Sequence, residues 1–266
     1  MRRAASVSPM INAVTWGIIQ GLTEFLPVSS SGHLVLVPAL LSKMGPSVST
    51  PSLAQSAFLH LGTLAAVVLF YRRDIGTLLK FRGSAGARRL WGLLMVGTAP
   101  AALGLLVEDL VESAQDNTAA VSVALGFTTV VLLLGHKLGG RTGQMEKARL
   151  RDGLWVGLAQ VLAFMPGVSR SAVTITAGMA RGLSPEDATR YSFLLAVPAI
   201  AAAGVRSVTR MDLAPESLGT DLVGLGVAAV VGYFSIVGLL SVMRRIGLAP
   251  FATYTAALAV AGFYIL

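Results

Sequence analysis

Residues 222–243 read LVGLGVAAVVGYFSIVGLLSVM, 22 positions between Asp221 and Arg244 without a formal charge. A helix crosses the hydrocarbon core of a bilayer with roughly 20 such residues. Two further stretches have the same character: Ile246 to Leu266 holds 21 uncharged residues and Asn117 to Gly135 holds 19. Over all 266 residues, 54% are hydrophobic and 13% charged, with mean hydropathy +0.72. A soluble domain carries about a quarter charged residues. The chain is read as an all-α polytopic membrane protein, a single membrane domain over residues 1–266.

There is no cysteine, which excludes disulfides and thiolate chemistry. The net charge of +8 does not point to a nucleic-acid partner, because the basic residues sit in short loops between apolar segments and the surroundings are membrane lipids. Arg2 and Arg3 precede an apolar stretch, as in a signal peptide. That stretch runs into Glu24 and a serine cluster without a small-residue cleavage site, so cleavage is not expected. The loop Arg72–Arg89 is strongly basic, as is Lys137–Arg151, and Arg244 with Arg245 marks a third basic loop; Glu108, Asp109, Glu112 and Asp116 form an acidic one. Basic loops stay on the cytoplasmic side, which predicts six full spans near 53–71, 90–107, 118–135, 191–205, 222–243 and 247–266.

Two apolar segments fail as simple spans. Residues 10–42 are interrupted by Pro27, three serines, Gly32 and His33, and residues 153–180 by Pro166, Gly167, Ser169, Arg170 and Ser171. Broken backbone at membrane depth is tolerated only inside protein or beside a water-filled cavity, so both are read as re-entrant helix pairs. An echo at a constant offset of 140 links them: Gln20 with Gln160, Leu22 with Leu162, and Val28-Ser29-Ser30-Ser31 with Val168-Ser169-Arg170-Ser171. Each half is a broken hairpin followed by three spans, and an odd number of crossings inverts the second. The expected architecture is an inverted-topology repeat, with one copy over about 10–135 and the other over about 153–266.

The chemistry is concentrated in the breaks. Glu24 is the only charge between Arg3 and Lys43, and Arg170 is the only one from Gly153 to Ala180. Charges at such depth are costly and mark functional sites. A plain ion pair holding two helices would explain both charges but not the hydroxyls and histidine around them. The Arg170 fork suits phosphate oxygens. Ser29, Ser31, Ser169, Ser171 and Thr174 supply hydroxyl donors, with Gln20 one turn before Glu24, and the Gly and Pro breaks free N–H groups at half-helix N-termini for an anion. Ser30 and His33 are the candidates to attack phosphorus. Glu24 has three open roles: orienting the imidazole, acting as base, or holding a divalent cation.

Gln20 to His33 resembles the (E/Q)xxxE and PVSSxGH signature of the undecaprenyl-pyrophosphate phosphatase (BacA/UppP) family, and Pro166 to Thr174 resembles its PGxSRSxxT motif. Leu61-Gly62-Thr63-Leu64, the run Tyr191 to Leu195 leading to Pro198, and Pro250-Phe251-Ala252 agree as well. The resemblance implies hydrolysis of undecaprenyl pyrophosphate to undecaprenyl phosphate and inorganic phosphate, aided by Mg²⁺ or Ca²⁺. That reaction recycles the lipid carrier for cell-wall synthesis and is tied to bacitracin tolerance. The implied setting is the bacterial inner membrane, with the site facing outside. The resemblance also implies Ser30 or His33 as nucleophile, Glu24 as catalytic carboxylate, and Arg170 as phosphate clamp. Gln20 stands where many relatives have Glu, which leaves one carboxylate fewer. Three other readings compete. A polyprenyl-phosphate transporter or flippase fits the repeats. A phosphatidic-acid-phosphatase type enzyme would need a histidine six positions after Arg170, where Thr176 stands. A purely structural protein leaves Glu24, His33 and Arg170 unexplained. The oligomeric state, a homo-oligomer included, stays open.

Overall fold

The computed structural model describes residues 8–44, 50–80, 84–106, 114, 117–209 and 217–264. Among them every regular element is helical. The α-helices are α1 (Pro9–Phe25), α2 (Ser30–Met44), α3 (Leu53–Phe70), α4 (Arg72–Leu79), α5 (Ala85–Thr98), α6 (Thr118–Lys137), α7 (Leu150–Val161), α8 (Arg170–Ala180), α9 (Pro185–Thr209), α10 (Leu218–Ile246) and α11 (Ala249–Phe263). Helices occupy all six segments expected to span. The 90–107 segment is divided, because α5 stops at Thr98 and a 3-10 helix, Ala99–Leu106, carries Pro100 onward. Part of the basic loop Arg72–Arg89 is also helical: α4 is a short helix with its charges at the start, too brief for its period to stand out in the sequence. The acidic residues Glu108, Asp109, Glu112 and Asp116 lie outside the described residues.

The starts of the helices are written in small polar residues. The Ser8 hydroxyl accepts from Ile11 N–H with Pro9 in the first turn. Ser52 and Gln55 form a reciprocal capping box on α3, and Asn117 Oδ1 accepts from Ala120 N–H on α6. The helices then pack through glycine. α1 and α3 both lie along α10, where a Cβ on Gly17 would fall 2.8 Å from the Gly224 carbonyl oxygen. α7 lies on α5, where a Cβ on Gly157 would collide with the Gly97 carbonyl. Gly17 and Gly157 are 140 positions apart, so the sequence echo extends to the seams that hold each hairpin.

α6 and α10 are long and apolar enough to cross a membrane, with mean hydropathy 2.0 and 2.2. Their outer faces expose Val123, Phe127, Val130, Leu134, Val230 and Phe234, while Gln20, Glu24, His33, Thr128, Gln160 and Ser171 are buried. An apolar exterior around a polar interior suits a lipid solvent, and the protein is a helical membrane protein. One end gathers the ion pairs. Arg190 binds Asp74 and Glu146, and Arg181 donates from Nε and Nη2 to Asp152 Oδ1 at 2.9 and 2.7 Å. Burial pushes the Asp152 carboxyl up, but the Arg149 N–H and the Arg181 guanidinium outweigh it and hold the group below its ordinary range.

Candidate active site

Both broken segments fold as a helix, a reversal and a second helix. After Phe25 the chain passes Pro27 and turns at Ser29, whose φ is +70°; the Ser29 hydroxyl then accepts from Gly32 N–H at 3.1 Å and caps α2. After Val161 one 3-10 turn leads to Gly167, φ +96°, and the Ser169 hydroxyl accepts from Ala172 N–H at 3.3 Å and caps α8. The repeated serines repeat their bonds: Ser29 Oγ meets Ser31 Oγ at 3.2 Å, and Ser169 Oγ meets Ser171 Oγ at 3.1 Å. The two tips touch. Gly167 N–H donates to Ser31 Oγ at 3.2 Å, and Ser171 Oγ donates to the Leu26 carbonyl at 3.3 Å.

Between the tips lies a cavity of about 270 Å³. One of its walls is the Glu24 carboxylate, on which four side chains converge. Arg170 Nη2 donates to Oε1 at 2.6 Å. Gln20 Nε2 and Ser30 Oγ donate to Oε2 at 2.9 and 3.1 Å. His60 Nε2 stands 3.9 Å from that same Oε2. Ser29, Ser31, Ser169 and Ser171 also line the cavity. Ala101, Phe164, Ala199 and Ile200 give it an apolar side. The arrangement holds a hydroxyl against a carboxylate, sets a cationic fork beside both, and leaves apolar surface next to them.

The family profile described as bacitracin resistance protein BacA matches residues 13–261. The chain belongs to this family. Its relatives include the undecaprenyl-diphosphatase of Micrococcus luteus, 41% identical over 261 residues that cover 92% of each chain. That of Rubrobacter xylanophilus is 40% identical over 265 residues, 94% of this chain and 96% of the relative. That of Geobacter metallireducens is 39% identical over 256 residues, 92% and 93%. The motif resemblance seen in the sequence is thereby borne out over nearly the whole chain.

In this BacA-family chain two of the expected site residues face elsewhere. His33 Nδ1 bonds the Ser29 carbonyl at 2.7 Å and its Nε2 bonds Tyr254 Oη at 2.7 Å, with the two rings stacked at 5.7 Å. His33 is not among the residues that line the cavity. Thr174 Oγ1 bonds back to the Arg170 carbonyl at 2.7 Å and meets Ser192 Oγ at 2.6 Å, which ties α8 to α9. Thr128 and His60 were not singled out from the sequence, and Gln160 entered only as the echo of Gln20. Thr128 accepts from Ser169 N–H and donates to the Gly167 carbonyl, pinning the second tip to α6. Gln160 lines the cavity and donates to the Gly97 carbonyl at 3.3 Å. His60 lines it too, and its only sequence signal was the adjoining phrase Leu61-Gly62-Thr63-Leu64.

Proposed function

We infer that the chain hydrolyses undecaprenyl pyrophosphate to undecaprenyl phosphate and inorganic phosphate, as its relatives' names state for them. In a bacterium this returns the lipid carrier to cell-wall synthesis. The observation that carries the reading is the Glu24 carboxylate gripping both the Ser30 hydroxyl and the Arg170 guanidinium inside a cavity with apolar neighbours. The apolar wall suits the start of a prenyl chain, and the polar wall suits its pyrophosphate.

Ser30 is the nucleophile in this reading, supported by its 3.1 Å bond to Glu24, whereas both ring nitrogens of His33 are engaged away from the cavity. Ser30 Oγ attacks the terminal phosphorus and its proton passes to Glu24. The bond from phosphorus to the bridging oxygen breaks, and polyprenyl phosphate leaves with that electron pair. Arg170 and the freed N–H groups at the start of α8 stabilise the charge spread over the phosphoryl oxygens. Water then hydrolyses the phosphoserine. Mg²⁺ or Ca²⁺ fits this donor set together with substrate. Among the described residues no three His, Asp or Glu cluster into a cage, but Glu24 and the Ser30 oxygen are hard ligands that pyrophosphate oxygens would complete. When bound, such an ion supplies charge neutralisation at the transferring group.

Six spans with two re-entrant pairs, and an inverted repeat over about 10–135 and 153–266, belong to the same reading. The duplicated serine bonds and the Gly17 and Gly157 seams support the repeat. In the same reading the setting is the inner membrane with the basic loops on the cytoplasmic side, and the cavity opens outward, as the family resemblance implies, where water reaches the pyrophosphate. The decisive test is phosphate release from a soluble short-chain prenyl pyrophosphate in detergent, where transport has no meaning. Release supports the reading, and its absence from folded protein overturns it in favour of a carrier. For orientation, a cysteine replacing cavity-lining Ser31 should react with an impermeant thiol reagent on intact cells, and one replacing exposed Thr142 should not. Reaction at Thr142 alone reverses the topology.

A further inference from the structure

His60 is the one cavity-lining group of strong acid–base chemistry that the steps above leave unused. It sits in α3, which belongs to neither broken hairpin, with its side chain 28% exposed. Its Nδ1 lies 2.7 Å from the Ser56 carbonyl oxygen. A carbonyl has no proton to give, so Nδ1 carries the hydrogen and the ring orientation is fixed by its own helix. That leaves Nε2 as the acceptor, on the side of the ring that faces Glu24 Oε2 at 3.9 Å and the cavity. Ser30 Oγ and His60 Nε2 therefore reach the same carboxylate oxygen from different helices. A phosphoryl group carried on Ser30 would lie in the cavity that both line. The second half of the reaction needs an acceptor in that place, because the water that attacks phosphoserine must be held and must lose a proton, while Glu24 is still carrying the proton taken from Ser30.

We propose that His60 is a further catalytic residue, which holds the hydrolytic water through Nε2 and accepts its proton. This rests on Ser30 as the nucleophile. In the step, the water oxygen bonds to phosphorus as its proton moves to Nε2. The phosphorus–Oγ bond breaks, and Oγ takes back the proton held by Glu24. The proton on Nε2 then leaves to solvent with the phosphate, and the resting site is restored.

The test uses full-length protein in detergent with farnesyl pyrophosphate radiolabelled in its terminal phosphate, acid-quenched during turnover. His60→Ala should cut steady-state phosphate release by about 10²–10³-fold while protein-bound label rises toward one per chain, with the label mapping to Ser30. His60→Gln, which can accept from water but cannot take its proton, keeps the side chain close in size and guards against a folding defect; it should also accumulate label. Loss of turnover in both variants without label above wild type overturns the proposal and leaves the Ser30 reading in place, provided Ser30→Ala is inactive. Wild-type rates in the His60 variants overturn it as well. An active Ser30→Ala variant overturns the nucleophile assignment, and the proposal falls with it.

Discussion

The two broken hairpins share a frame and differ in what they carry. Both reverse between two helices, both cap the second helix with a serine, and both bond that serine to the hydroxyl two residues on. Yet the first holds the carboxylate Glu24 and the second holds the guanidinium Arg170, at positions where their mates are Phe164 and Ser30. The reversal itself also differs. In the second tip the left-handed residue is Gly167; its mate in the first tip is Pro27, whose ring fixes φ near −65°, so the left-handed turn moves on to Ser29. On the proposed reading, the two similar reversals serve as two half-sites of opposite charge, and neither half is a site alone.

The sharpest way to break this division is to remove one half's charge. Glu24→Gln should lower phosphate release by about 10²–10⁴-fold, because the base for Ser30 and the counter-ion of Arg170 disappear together. Arg170→Lys should also be severely impaired, since an ammonium cannot reproduce the planar fork. Near-normal turnover of either, at matched folded yield, would falsify the division of labour. A second contrast lies within the first hairpin. Ser30→Ala should cost about 10²-fold or more, whereas Tyr254→Phe, which removes only the partner of His33, should stay within about tenfold. The reverse order would return His33 to the centre of the chemistry.

The backbone contrast gives a stability prediction. A Cβ at Gly167 would strike the Val121 carbonyl, in a left-handed conformation. Gly167→Ala should destabilise by about 2–4 kcal/mol from strain and overlap together. Ser29→Gly relieves a left-handed residue while losing a capping hydroxyl, and should fall within about 1 kcal/mol of wild type. Thermal melts in detergent check both, and equal losses would contradict the unequal turns. The smallest effect concerns Asp152, whose lowered pKa makes its pairing a source of stability above the unfolded carboxylate value. That contribution is lost as pH falls through the still lower folded value. Asp152→Asn should therefore melt slightly below wild type at pH 7, by under about 1 kcal/mol for so exposed a pair. The gap should begin to close as the pH falls below about 4 and vanish below the folded value, and a gap that widens in acid would contradict this.

What the sequence could reveal depended on contrast with its surroundings. Glu24 and Arg170 stood out because nothing else charged lay near them, and the breaks stood out because Pro, Gly and serine runs interrupt apolar periodicity. Helix positions followed from uncharged runs of the right length. Residues whose importance comes from facing a neighbour stayed hidden: His60 and Thr128 lie in different helices and meet the tips only after packing, and Gln160 showed only as the echo of Gln20. Thr174 and His33 were drawn toward the site by their side-chain chemistry and the motifs that carry them. A residue three or four positions along a helix can still bond its own backbone, and both do. α4 was missed because eight residues give barely two turns of pattern.

On the proposed function, the Glu24–Arg170 bond would also set the site's selectivity at rest. With the Arg170 fork already paired, any anion that enters the cavity would have to outcompete a carboxylate held 2.6 Å away. A weakly charged lipid headgroup drifting past in the leaflet has little to offer in that exchange. On that reading a pyrophosphate, dense in charge and with several oxygens, would displace Glu24 from the fork and leave the carboxylate, already bonded to Ser30, without its counter-ion. The resting contact would then act as an interlock, coupling recognition of the headgroup to release of the base.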